Sequence, residues 1–237
     1  MYKFFLWLLK LGTLLNLYLF SKTLIPPLVF ADIHILIPAQ IFFIVSAFRC
    51  FFPVSYVSSA VLHDSLFSSI FLTRLFATFS EVAYIYQFSY LLRLFNADQI
   101  PLVDVLSWLM VVQVIISQFF VWGAILTGRQ KLYFYEELGW GIIFIIYTFA
   151  SVIIYWTLDS LSGYKLLLQI NILFGTVYLP WQLVHLRALL LKAKDQGVNE
   201  NIYGDITGKM LIIGLKKSIK IKILTTKSEA WGGVIGM

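Results

Sequence analysis

Glu81 stands eleven residues into an apolar run, with Arg74 seven residues before it and Thr78 between them. Seven residues are almost two helical turns, so both charges fall on one helix face. Side chains lean toward the helix amino end, which aims Glu81 at Arg74. A charged group inside a membrane span is costly and marks an ion path, a proton relay or a ligand centre by default. Either Arg74 and Glu81 form a structural pair, or Glu81 is the protonatable centre of a binding or transport path. Asp32 and His34 fall in the outer part of the second apolar run, ahead of Pro38, with Gln113 in the fourth and Asn171 in the sixth at comparable depth. If their faces converge, these residues line that path. Side chains such as Gln113 and Asn171 also hold helices together for ~0.6 to 2 kcal/mol each.

A second constellation lies at the opposite ends of the runs. His63 and Asp64 are adjacent, and Arg49, Arg74, Arg129, Gln182, His185 and Arg187 fall near the same side. An imidazole beside a carboxylate can move a proton, and guanidinium groups suit a phosphate. The alternative reading is therefore an enzyme acting on a lipid at the cytoplasmic face. His63, Asp64 and His185 would be catalytic, with Arg49, Arg129 and Arg187 on the head group. Adjacent His-Asp is common and arginines at inner span ends are expected anyway, so the sequence leaves enzyme activity open. A third reading is a subunit or scaffold without chemistry, in which every polar residue binds helix to helix.

Three histidines invite a metal or haem, but His34 and His185 stand roughly 20 Å apart along the membrane normal at helical rise. No i, i+3 or i, i+4 ligand spacing supports a metal site. No lysine lies deep in the last span, which disfavours a retinal-type Schiff base. The single cysteine, Cys50, excludes an internal disulfide and reads as a small apolar filler. Nothing resembles a phosphate-binding loop, a dinucleotide fingerprint or a nucleophile elbow. No cofactor and no nucleic-acid partner are expected.

The elements that must position these residues follow from hydropathy. The 237 residues are 60% hydrophobic and only 13% charged, about half the charged share of a soluble domain; the mean hydropathy is +0.85. Six apolar stretches run over 4–20, 29–48, 70–92, 105–126, 138–158 and 166–191, each near the ~20 residues that cross a bilayer. The expected fold is an all-α polytopic integral membrane protein, a bundle of about six transmembrane helices over 1–191, with a basic cytoplasmic tail over 192–237. Lys10 interrupts the first stretch and no small-residue cleavage site follows it, so it reads as a retained span rather than a signal peptide.

Lys3, Arg49, Arg129, Lys131, Arg187, Lys192 and Lys194 fall on one side of these spans; Lys22, Arg93 and Lys165 fall on the other. The excess of basic residues places both termini in the cytoplasm. Trp108 and Trp156 at one interface and Tyr133, Tyr135, Trp140 and Trp181 at the other agree with that orientation. The break over 49–69 is too apolar for an open loop, which predicts an interfacial helix or a segment packed back on the bundle. In the tail, Ser218 to Ile223 alternates with period two and predicts a strand. Its lysines are expected to draw it to anionic lipid, at about 1 kcal/mol each near the surface. The last residues, 230–237, resemble the opening of a further apolar segment.

Overall fold

The computed structural model describes residues 2–56, 58–158, 163–199 and 207–231. Its regular structure is helical apart from one two-stranded pairing. The helices are α1 (Tyr2–Thr23), α2 (Ile33–Phe51), α3 (Ile70–Phe95), α4 (Pro101–Thr127), α5 (Gln130–Thr157), α6 (Tyr164–Asn199) and α7 (Gly208–Lys220). The strands are β1 (Ala60–Val61) and β2 (Ile223–Leu224). Among the described residues, α2, α4, α5 and the 164–194 part of α6 are long and apolar enough to cross a membrane. A chain with four such helices is compatible with integral membrane placement. The first and third expected spans, α1 and α3, are helices of 22 and 26 residues that are not among the four. In α3, Arg74, Glu81, Gln87 and Arg93 dilute the apolar run.

The chain divides into two compact units, Met1–Tyr84 with Thr207–Met237, and Ile85–Ile206. In the first, α1 packs on α2. Cys50 fills the space beside Gly12, its Sγ 3.2 Å from where a glycine Cβ would stand, as a small filler should. Phe42 stacks on Tyr84 at 5.1 Å, and Phe48 meets Phe76 edge-on at 4.9 Å, which ties α2 to the first half of α3.

Among the described residues, the 49–69 break forms no α-helix beyond the end of α2. Turns lead into β1, followed by a 3-10 turn over Leu66–Ser68. β1 pairs in parallel with β2, Ala60 opposite Ile223 and Val61 opposite Leu224. The predicted strand over Ser218–Ile223 is largely helix instead: α7 holds through Lys220 and only Ile223–Leu224 is extended. Six alternating residues are too short a window to separate the two periods. Over the longer stretch Ile212, Leu215 and Ile219 repeat at helical spacing, and the Thr207 side chain caps the start by accepting from the Met210 N–H. Similarly, α6 continues eight residues past Leu191 to Asn199, into the start of the expected tail. Residues 200–206 and 232–237 lie outside the described residues; of the expected terminal apolar segment, 230–237, only Ala230 and Trp231 are described, at the end of a 3-10 turn over Ser228–Trp231.

In the second unit α4 packs on α5 and α5 on α6. Asn96 closes the α3–α4 turn: its Nδ2 donates to the Ile100 carbonyl at 3.0 Å and to Asp104 Oδ1 at 3.2 Å, while its Oδ1 accepts from the Ile100 N–H. Pro101 opens α4 and Gly128, at φ 76°, ends it in the left-handed conformation that favours glycine. Small residues let the helices approach. A Cβ on Gly139 would fall 2.0 Å from Ser117 Oγ, and one on Gly175 2.0 Å from Thr148 Oγ1 and 2.9 Å from Thr148 Cβ. Close backbone approach replaces the missing hydrophobic drive between helices in lipid.

The two glycines therefore predict different penalties. Ser117 can rotate its hydroxyl aside, whereas Thr148 has its Cβ in the way and the backbone must shift. Gly175→Ala should destabilise by about 1–3 kcal/mol and Gly139→Ala by less. Adding Thr148→Ala to Gly175→Ala should recover most of the loss in a thermal melt of detergent-solubilised protein. Wild-type melting of Gly175→Ala would refute the close approach.

Candidate functional site

The first half of α3 carries the site. Arg74 Nη2 donates to Glu81 Oε2 at 2.6 Å and Nη1 donates to Oε1 at 3.1 Å, a two-pronged ion pair along seven residues of helix. Arg74 is 3% exposed and Glu81 17%. The seven-residue separation is about 10 Å of helix axis, which the long guanidinium side chain bridges by lying along the face. Thr78, on that same face, donates its hydroxyl to the Arg74 carbonyl at 3.0 Å. Ala77, between the two charges, is fully buried, so the pair is held against packed side chains.

Such a pair is strong in geometry and modest in net stability. Charge-assisted, forked hydrogen bonds are among the stronger contacts a protein makes. Taking both charges out of water costs several kcal/mol per ion, and their attraction often does no more than offset it. An apolar pair of similar volume would hold the helix as well. The chemistry available is that of a clasp: a guanidinium fork on a carboxylate, with donors that suit other oxyanions as well.

The remaining sequence candidates divide between the two units. Asp32 is the cap of α2 rather than part of the span, its Oδ1 accepting from the His34 N–H at 2.8 Å. His34 is exposed in the first turn of α2. An aspartate directly before an apolar run is a helix-start signal, and that signal accounts for Asp32 without a path. Gln113 on α4 lies against the α5 backbone, its Nε2 2.8 Å from the Cβ position of Gly139, and Asn171 is half-buried on α6. Both belong to the second unit.

His63 is exposed and stacks on Phe51 at 5.6 Å, with Phe52 edge-on at 5.9 Å. Asp64, with 79% of its side chain exposed, faces Lys222 at 3.8 Å, and Lys222 Nζ also donates to the Ser65 carbonyl at 2.5 Å. Arg49 is exposed in the last turn of α2; Arg129 precedes α5, and Arg187 is exposed on α6.

His185 does find a carboxylate, one absent from the sequence reading. Glu137 Oε1 lies 3.9 Å from His185 Nε2, and Gln182 Nε2 donates to Glu137 Oε2 at 3.0 Å and to its carbonyl at 2.7 Å. Gln182 is 1% exposed, and Trp181 stacks on His185 at 5.2 Å with the rings 4° apart. Glu137 escaped notice because the fifth span was drawn from 138, whereas α5 starts eight residues earlier at Gln130. The signal was present: Gln182 and His185 are three residues apart on one helix face, a spacing that presents both to a single partner.

Among the described residues no cluster of three or more His, Cys, Asp or Glu side chains could hold a metal ion. Compared with protein-family models, with curated proteins and with solved structures, the chain matches none.

The clasp has a stability signature. Arg74→Leu or Glu81→Leu alone takes both bonds of the fork from a charge that stays, and should cost up to about 3–5 kcal/mol. The double variant should return most of that loss in the same unfolding assay. Strictly additive losses would show that the two residues do not act as a pair.

Proposed function

We propose that this chain is a membrane protein of about six spans, both termini cytoplasmic, that binds or carries a small anion in exchange for the internal Arg74–Glu81 contact. The observation that carries the reading is the forked pair on α3, with Arg74 buried and Glu81 half-buried. A buried ion pair is a poor source of stability, which favours a role in which the pair opens. Protonation of Glu81 removes its charge and weakens its two bonds to Arg74; a carboxylate or phosphate then competes for those donors. Proton and anion binding are reciprocally coupled in such a site, so each must strengthen the other by the same factor.

The lipid-enzyme alternative draws less from the geometry. Its Asp64 is engaged by Lys222, and its His63 is wedged against two phenylalanine rings. The scaffold reading treats the Arg74–Glu81 clasp and the Glu137–Gln182 contact alike, as helix fasteners.

The test is proton uptake on anion binding, with acetate and inorganic phosphate as probes of the purified protein in lipid nanodiscs. Binding should tighten as the pH falls, take up a proton, and raise an infrared carboxylic-acid band that Glu81→Gln lacks. Glu81→Gln should bind either anion without pH dependence, and Arg74→Gln should bind neither. Failure of both anions to drive proton uptake, or an unaltered pH profile in folded Glu81→Gln, overturns the proposal and leaves the pair a structural fastener.

A further inference from the structure

We infer that α7 is an interfacial helix that docks on anionic lipid head groups, held at the membrane surface by the β1–β2 pairing. This stands apart from the anion site and does not depend on it. At 100° per residue α7 has three sectors. Met210, Leu211, Gly214 and Ser218 form one, and Gly214 and Ser218 within it are buried. Ile212, Leu215 and Ile219 form the second, all three exposed at 57%, 37% and 41%. Lys209, Lys216 and Lys220 form the third, with Lys217 beyond them, all four exposed; Ile213, 45% exposed, stands between Lys220 and Lys217. An exposed apolar stripe bordered along one side by lysines is the pattern of a helix lying in the head-group plane.

The position of α7 within its unit supplies the occupant. The Ile223 N–H donates to the Ser59 carbonyl at 2.8 Å and the Thr225 N–H to the Val61 carbonyl at 3.2 Å. Lys222 adds its bond to the Ser65 carbonyl. Trp231 is buried, its Nε1 donating to the Thr225 carbonyl, and the Ser58 hydroxyl bonds the Ala230 carbonyl. These contacts fasten the segment after α7 to the segment directly after α2, a helix long and apolar enough to span. α7 is thereby tethered where α2 leaves the bilayer, beside Arg49. Phe51, Leu66 and Phe67 on the same segment, and Ile221, Ile223 and Leu224 beyond α7, are exposed apolar residues as well. Water is a poor partner for that surface, and the lysines select an anionic bilayer over a neutral one.

The experiment is hydrogen exchange on the full chain in phosphatidylcholine nanodiscs with and without phosphatidylserine. Exchange of the α7 amides should slow in the anionic discs, and raising the salt concentration should abolish the slowing, because head-group attraction is screened. Each lysine replaced by glutamine should weaken the preference by about fivefold at low salt. The variant with Lys209, Lys216, Lys217 and Lys220 all replaced should lose it, while the Ile223 and Thr225 amides keep their protection and show that the pairing survives. The wild-type salt series tests the idea even if that variant misfolds. Equal α7 exchange in both discs, slowing that salt does not touch, or protection that instead rises with protein concentration (a second copy as the occupant) overturns the inference.

Discussion

Backbone polarity in an apolar solvent is the constraint on which the rest of this structure depends. A chain that is three-fifths hydrophobic can satisfy its N–H and C=O groups inside lipid only by closing them within helices. Once every segment is helical, lipid is as apolar as the side chains facing it and gives no hydrophobic reason for one helix to seek another. Close packing and polar contacts have to supply it. Gly175 against Thr148 and Gly139 against Ser117 do the first; Gln182 to Glu137 does the second. The exposed leucines, isoleucines and phenylalanines along α4 and α6 are therefore no defect in folding but surface suited to acyl chains.

The helices were legible because their signal is additive over about 20 residues and survives local exceptions. Their ends were not, because an end is decided by single contacts. Asp32 moved the start of α2 to residue 33 by capping it, and α5 began early enough to enclose both Glu136 and Glu137. The tail misled for a related reason. Its period-two run is only six residues, and the longer helical repeat from Gly208, capped by Thr207, wins over it. The long break after α2 is apolar because it packs with the chain's own carboxyl segment. That partner lies more than 150 residues away, and no local pattern could announce it.

The candidate site shows the same division. Arg74 and Glu81 were readable as a pair because both lie on one helix, where spacing alone sets the geometry. Contacts between helices depend on rotation and depth, which hydropathy does not encode. Thus His185 meets Glu137, which lies just outside the expected fifth span, and Asp64 meets Lys222 from the tail. In each case an acidic residue has a basic neighbour that no local pattern announces. Low dielectric explains the economy: a lone charge near lipid is expensive enough that folding brings a counter-charge or a hydrogen-bond donor to it.

That economy also sets Arg74–Glu81 apart from the other contacts. Asp64 is mostly exposed, and Glu137 and His185 keep nearly a third of their side-chain surface accessible, so water can share in stabilising them. Arg74 has almost no such recourse, and both prongs of its fork rest on one carboxylate. Removing the charge of Glu81 takes away the attraction on which both prongs rest, while the desolvation cost of the buried guanidinium, several kcal/mol for such an ion, stays.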